Sequence, residues 1–234
     1  MIANALLALF LLFLVVGVPL LSASSVRDAQ VREMPRLALY LSAAVSEWVL
    51  AGVGLLIFWF SSLAALEIGL RSVALGSALA WAGAVGLLSV AGICLGLWLR
   101  SRGWWPDESE LVRLLIPQTP REKVWSLLLL APTAALCEEF LYRGLLLAQL
   151  ARWFHSLGWA WLAASLAFGL AHFYQGWNGI LRASLLGALL AYPVIHLGSL
   201  YPSMLAHGLI DAVALVWLGP KFLGNREQGT GNRE

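Results

Sequence analysis

Residues Val124 to Leu150 read VWSLLLLAPTAALCEEFLYRGLLLAQL. This apolar run has the length a helix needs to cross ~30 Å of hydrocarbon. It nevertheless carries two adjacent carboxylates, Glu138 and Glu139, and a guanidinium, Arg143. Read as a membrane span, the run decides the fold class, because lipid offers the backbone no hydrogen-bond partner and favours helices that satisfy themselves. Ionisable side chains inside such a span are costly and mark function by default.

The rest of the chain agrees. Of its 234 residues, 60% are hydrophobic and only 12% charged, about half the charge usual in a soluble domain. The mean hydropathy is +0.80. An all-α, polytopic transmembrane bundle of about seven spans, or eight, is expected. The spans are predicted near residues 2–21, 37–60, 73–99, 124–150, 157–173, 180–197 and 201–218. Pro132 is expected to kink or divide the fourth. The first lacks a basic leader and is too long for a typical signal peptide, so it reads as a retained span. Three regions follow: 1–119, helices without an assigned motif; 120–218, the core with the ionisable groups; and 219–234, a polar tail expected to be disordered.

Basic residues orient this scheme. With the N-terminus outside, the inner loops hold Arg27, Arg32, Arg36, Arg100, Arg102, Arg113, Arg121, Lys123, Arg182, Lys221, Arg226 and Arg233, and the outer loops only Arg71 and Arg152. Most tryptophans fall near predicted span ends and read as an interfacial belt. Small residues in the third span suit close helix packing. Cys94 and Cys137 both read as small buried residues, not as a disulfide or a metal pair.

Within the spans the ionisable groups are few: Glu47, Glu138, Glu139, Arg143, His172, His196, His207 and Asp211. Glu139 and Arg143 stand four apart, on one helical face, with the acid N-terminal to the base, the better order for a pair. Glu138 points about 100° away from Glu139. It is left without a partner on its own helix, in surroundings that suit a general base. Phe168 and His172 are four apart on the fifth span, and so are His207 and Asp211 on the seventh. Brought together, one carboxylate, two imidazoles and a further side chain make a hydrolytic site. The base takes a proton from water, an imidazole helps hold that water, and the third helix stabilises an oxyanion. Glu47 and His196 read as interfacial or structural, and Phe168 as a wall of the site. Tyr174, Gln175 and Asn178 follow His172 closely, but nothing in the pattern gives them a role. Counted from the cytoplasmic start of its span, Glu138 is ~22 Å deep, whereas His172 is a few residues from the cytoplasmic end of the fifth. By that count the motifs do not share a depth.

The segments EEFLYRG, FGLAH and HGLID, in that order on separate spans, resemble the three motifs of the CAAX-protease and bacteriocin-processing family of intramembrane endopeptidases, which includes the Ras-converting enzyme. The resemblance covers roughly residues 120 to 218. It implies an endopeptidase acting on a membrane-associated protein or peptide, such as a CAAX tail or a leader peptide. It implies Glu138 as the base that activates water with His172 beside it, His207 and Asp211 at the oxyanion, and Glu139 with Arg143 in support. Where this chain has Asp211 the family often has Asn, which can donate to an oxyanion; an ionised Asp211 cannot. Asp211 is then protonated, orients His207, or helps hold a metal. No cofactor is firmly implied. A divalent metal such as zinc would take Glu138, His172 and His207 as ligands, although the helical HExxH arrangement is absent. The expected setting is the lipid bilayer, as a multi-pass protein of a bacterial cytoplasmic membrane, with no nucleic-acid partner and with the oligomeric state open. Two alternatives use the same residues differently: a proton-coupled transporter, which would favour repeated halves that are not visible here, and a non-catalytic immunity or scaffold member of the family.

Overall fold

The computed structural model describes residues 2–106 and 109–219. The polar tail expected from residue 219 lies, beyond Gly219, outside the described residues. In chain order the helices are α1 (Ile2–Ser25), the short α2 (Ala29–Glu33), α3 (Arg36–Phe60), α4 (Leu75–Ser101), the short α5 (Glu110–Leu115) and α6 (Pro120–Phe154). α7 (Leu157–Ala171), a 3-10 turn (Phe173–Gln175), α8 (Gly176–Leu197) and α9 (Tyr201–Leu218) follow. Among the described residues there is no strand. Six helices are long and apolar enough to cross a membrane: α1, α3, α4, α6, α8 with its leading turn, and α9. The chain is therefore an all-α, multi-pass membrane protein. The fifth expected span, α7, is shorter than the rest. Its 15 residues reach only ~22 Å at 1.5 Å per residue.

Apolar side chains face outward along the bundle, as lipid contact allows: Leu9, Leu56, Leu87, Leu128 and Leu185 are all exposed. Trp59, Trp104, Trp159, Trp177 and Trp217 are exposed near helix ends. Cys94 is exposed rather than buried; Cys137 is buried, and both are free thiols. Small residues bring helices close. Ala78 and Ala82 of α4 are buried, and Ala82 and Val85 pack with Ala206 and Ile210 of α9. Ser203 of α9, fully buried, donates to the Leu190 carbonyl of α8 at 2.6 Å.

α6 organises the molecule. Its 35 residues span ~52 Å, far more than the hydrocarbon layer, so its ends must project past it. The N-terminal end is built for water. Thr119 and Glu122 form a capping box, with Pro120 in the first turn, where its missing N–H costs nothing. Pro132 does not divide the helix. It follows a π-helical segment, Ser126–Leu130, whose wider turn relieves the clash a proline ring makes with the preceding turn. A second π segment, Glu139–Leu146, begins at the carboxylate pair. α6 stops at His155, whose backbone is left-handed (φ 49°), and Ser156 caps α7 by accepting from the Trp159 N–H. The tight turn makes α6 and α7 an antiparallel hairpin. Glu138 and His172 stand equally far from His155, one before it and one after, so the hairpin brings them level. Counting from the far end of each span hid this.

α8 returns along α7 at close range. A Cβ at Gly169 would run into Ser184 and lie 2.6 Å from the Ile180 carbonyl oxygen. The loop after α3 is folded back on the bundle end. Ile68 is fully buried, and the Leu200 N–H donates to the Gly69 carbonyl at 2.9 Å. Arg152 donates to both Glu67 oxygens and to Ser62. The Ala64 N–H donates to Glu67 as well, and these two donors, the backbone amide first, hold the Glu67 carboxyl below its ordinary range.

Candidate active site

The three ionisable motifs meet in the bundle interior, where α6, α7 and α9 approach. Glu139 is fully buried and Arg143 nearly so. The Arg143 Nη1 donates to Glu139 Oε1 at 2.8 Å, the pair expected from the spacing. The same oxygen accepts a second bond, from His207 Nδ1 at 2.8 Å. Glu139 thus joins the α6 motif to the α9 motif, a link the spacing on either helix alone could not reveal.

That bond also orients His207. A carboxylate accepting at Nδ1 requires a proton there, so Nε2 is turned to the other side of the ring. There it faces Glu138 Oε2 at 3.7 Å and Asp211 Oδ2 at 3.6 Å. The two glutamates of the doublet consequently stand on either side of one imidazole. His172 is fixed in a similar way. Its Nδ1 donates to the Phe168 carbonyl at 2.8 Å, and a carbonyl can only accept. Its Nε2 faces Glu138 Oε1 at 3.8 Å. Glu138 therefore has one oxygen toward each imidazole, beyond direct hydrogen-bond range, where a bridging water is the natural link.

Phe168 is more than a wall. The Arg143 guanidinium lies 4.0 Å over its ring, and the His172, Tyr142 and His207 rings lie at 4.5, 5.2 and 6.2 Å between centroids. A cation held over an aromatic face is stabilised by the ring quadrupole, the more so when desolvated. Gly187 of α8 leaves the space for this stack, since a Cβ there would lie 3.2 Å from Phe168 and 3.4 Å from Arg143 Nη2.

Beyond His172, the 3-10 turn is tied down from three directions. The Tyr174 N–H donates to Ser22 of α1, Ser109 donates to the Tyr174 carbonyl, and Gln175 donates to the Tyr174 hydroxyl while accepting from Arg182. The Tyr174 ring stands 5.9 Å from that of His172. His196 is elsewhere, stacked on Trp81 and tilted against Tyr192. Glu47, read as interfacial, points inward instead. Its Oε2 is buried without a hydrogen-bond partner, and it lies within electrostatic range of Glu138, His207 and Asp211.

Among the described residues, no group of three His, Cys, Asp or Glu side chains is disposed to hold a metal ion. A carboxylate between two imidazoles whose outer nitrogens are already fixed can accept a proton from water and pass it on. A buried Arg–Glu pair holds one of those imidazoles in place.

Residues 120–213 match the family described as Rce1-like, type II CAAX prenyl endopeptidase. That stretch contains all three motifs, with Glu138, Glu139, Arg143, Phe168, His172, His207 and Asp211, whereas Glu47 lies outside it. No curated protein and no solved structure matches the chain. The family points to intramembrane protease activity of the CAAX type, acting on membrane-associated peptides.

Proposed function

We propose that the chain hydrolyses a peptide bond of a membrane-associated protein or peptide through water activated by Glu138. The observation that carries this reading is the placement of Glu138, with one oxygen toward His172 Nε2 at 3.8 Å and the other toward His207 Nε2 at 3.7 Å. A water beside Glu138 gives one proton to the carboxylate while His172 Nε2 accepts its other O–H. The water oxygen bonds to the carbonyl carbon, and the carbonyl oxygen becomes an oxyanion. His207 keeps one proton on Nδ1 for Glu139, so it donates to the oxyanion from Nε2 as the doubly protonated ring. Glu138, Glu139 and Asp211 surround that ring. As the tetrahedral species collapses, the C–N bond breaks and the proton on Glu138 passes to the leaving amine. One water is consumed, and a carboxylic acid and an amine are released. Asp211, beside His207 Nε2, orients the ring and balances its charge, which answers the absence of an Asn there.

The test is cleavage by the reconstituted protein in liposomes. The substrates are a membrane-tethered peptide ending in a prenylated cysteine followed by three residues, and an unprenylated leader-like peptide. Release of a C-terminal tripeptide from the first is expected, and it should persist in the presence of a chelator. Intact substrates of both kinds after prolonged incubation would refute the reading.

A further inference from the structure

The stretch that matches the family begins at residue 120, and no motif marks the chain before it. Two serines of that earlier part nevertheless reach the turn that follows His172. Within the turn, the Gln175 N–H donates to the His172 carbonyl at 2.9 Å and the Gly176 N–H to the Phe173 carbonyl. The backbone groups of Tyr174 point out of it. Its N–H donates to the Ser22 hydroxyl of α1 at 2.9 Å, and its carbonyl accepts from the Ser109 hydroxyl at 2.9 Å. Ser109 is the N-cap of α5, so its oxygen also accepts from the Val112 N–H at 3.3 Å.

The chain's own continuity does little to hold this turn. Gly176 has φ 78° and ψ −179°, a conformation essentially confined to glycine. α7 therefore ends at the turn and α8 starts afresh, with a permissive residue between them. Gln175 donates to the Tyr174 hydroxyl at 3.0 Å and accepts from Arg182 of α8 at 3.0 Å. Those bonds steady the side chains of the turn, whereas the two serines hold its backbone.

His172 feels the result. It caps the C-terminus of α7, and two rings stand beside its imidazole: Phe168 at 4.5 Å and Tyr174 at 5.9 Å. Phe168 is fully buried on α7, where close packing fixes it. Tyr174 is only as fixed as the turn that carries it.

We infer that Ser22 and Ser109 are positioning residues of the site. From two elements outside the family stretch they clamp the Tyr174 backbone, and through the Tyr174 ring they keep His172 Nε2 turned toward Glu138. This rests on the reading of Glu138 and His172 as the groups that handle the water. It gives α1 and α5 a part in the chemistry without either touching a reacting atom.

The test is kcat and KM in liposomes for wild type, Ser22→Ala, Ser22→Thr, Ser109→Ala and Ser109→Asp. Melting temperature and hydrogen exchange across residues 172–176 are recorded on the same samples. Threonine at 22 keeps a hydroxyl. Aspartate at 109 still caps α5 by accepting from the Val112 N–H, but an ionised carboxylate cannot donate to a carbonyl. It therefore separates the clamp from the cap. Both alanine variants should exchange faster across the turn and lose about tenfold or more in kcat, the direction expected of a slightly misplaced reacting group, with KM near wild type. Ser109→Asp should lose as much kcat as Ser109→Ala while melting near wild type, and Ser22→Thr should recover. Two serines on separate elements guard against one variant failing to fold. A wild-type kcat in either folded alanine variant overturns the inference. So does a Ser109→Asp protein restored to wild-type kcat, because the cap alone would then explain the loss. The two claims fail separately. Full cleavage by Glu138→Gln would sink the reading of the base, whereas unchanged kcat in the alanine variants with Glu138 still essential would sink only the clamp.

Discussion

At the scale of single residues, one oxygen of Glu139 accepts from both Arg143 and His207, so the guanidinium and the imidazole depend on the same atom. Removing the guanidinium leaves a fully buried carboxylate without its arginine partner. Breaking a buried pair on one side costs about 3–5 kcal/mol. Arg143→Ala is therefore expected to unfold well below wild type in a detergent melt. Activity should fall further than stability alone explains, since His207 loses a firmly held partner. A melt within a degree or two of wild type would mean that the pair does not bear on the fold. Phe168 makes the same point differently. Its ring is the surface on which Arg143, His172 and Tyr142 meet, although alone it has no chemistry to offer.

At the scale of elements, the α6–α7 hairpin sets the depth of the site and the α7–α8 contact sets its width. Gly169 is three residues before His172, where α8 packs tightly against α7. Gly169→Ala would press a methyl against Ser184 and the Ile180 carbonyl. Helix backbones do not yield freely in a packed bundle, so α7 must move and carry His172 with it. A displacement of ~1 Å at a reacting group can cost about 100-fold. The variant is expected to bind substrate with a KM near wild type and turn it over far more slowly. A wild-type kcat would show that the contact tolerates the methyl. The π segments belong to this scale too. The one starting at Glu139 departs from the regular 100° step, a departure common at functional sites and invisible to a helical wheel.

At the scale of the whole molecule, the loop after α3 closes one end of the bundle through Arg152, Glu67 and Ser62. Glu67 has its carboxyl held below the ordinary 4.5. A group depressed in the folded state stabilises fully above its unfolded value and loses that contribution as pH falls through the folded one. The thermal stability of wild type should exceed that of Glu67→Gln near neutral pH, and the two curves should merge in acid. The gap should be small, because exposed pairs contribute little, and a gap that widened in acid would contradict the assignment.

Much of this molecule was legible in its sequence. The apolar runs gave the long helices, and four-residue spacings gave the Glu139–Arg143 pair and placed each imidazole on its helix. Two things were not legible, for physical reasons. Depth depends on how far each helix end projects, and α6 is much longer than the bilayer while α7 is shorter; only the shared turn at His155 revealed that Glu138 and His172 are level. The inward direction of Glu47 depends on which stripe of α3 is buried. The pattern Tyr40, Ala44, Ala51, Gly54 contained that signal, but small residues on a lipid-facing helix do not declare their face until a neighbour is known.

The central claim is that Glu138 activates the water, and the most direct measurement is kcat/KM of Glu138→Gln beside wild type, with helical content and melting temperature recorded on the same samples. The account predicts a folded protein whose cleavage is reduced by about 10³-fold or more, the scale of a lost general base. A folded Glu138→Gln protein that cleaves within tenfold of wild type would contradict it.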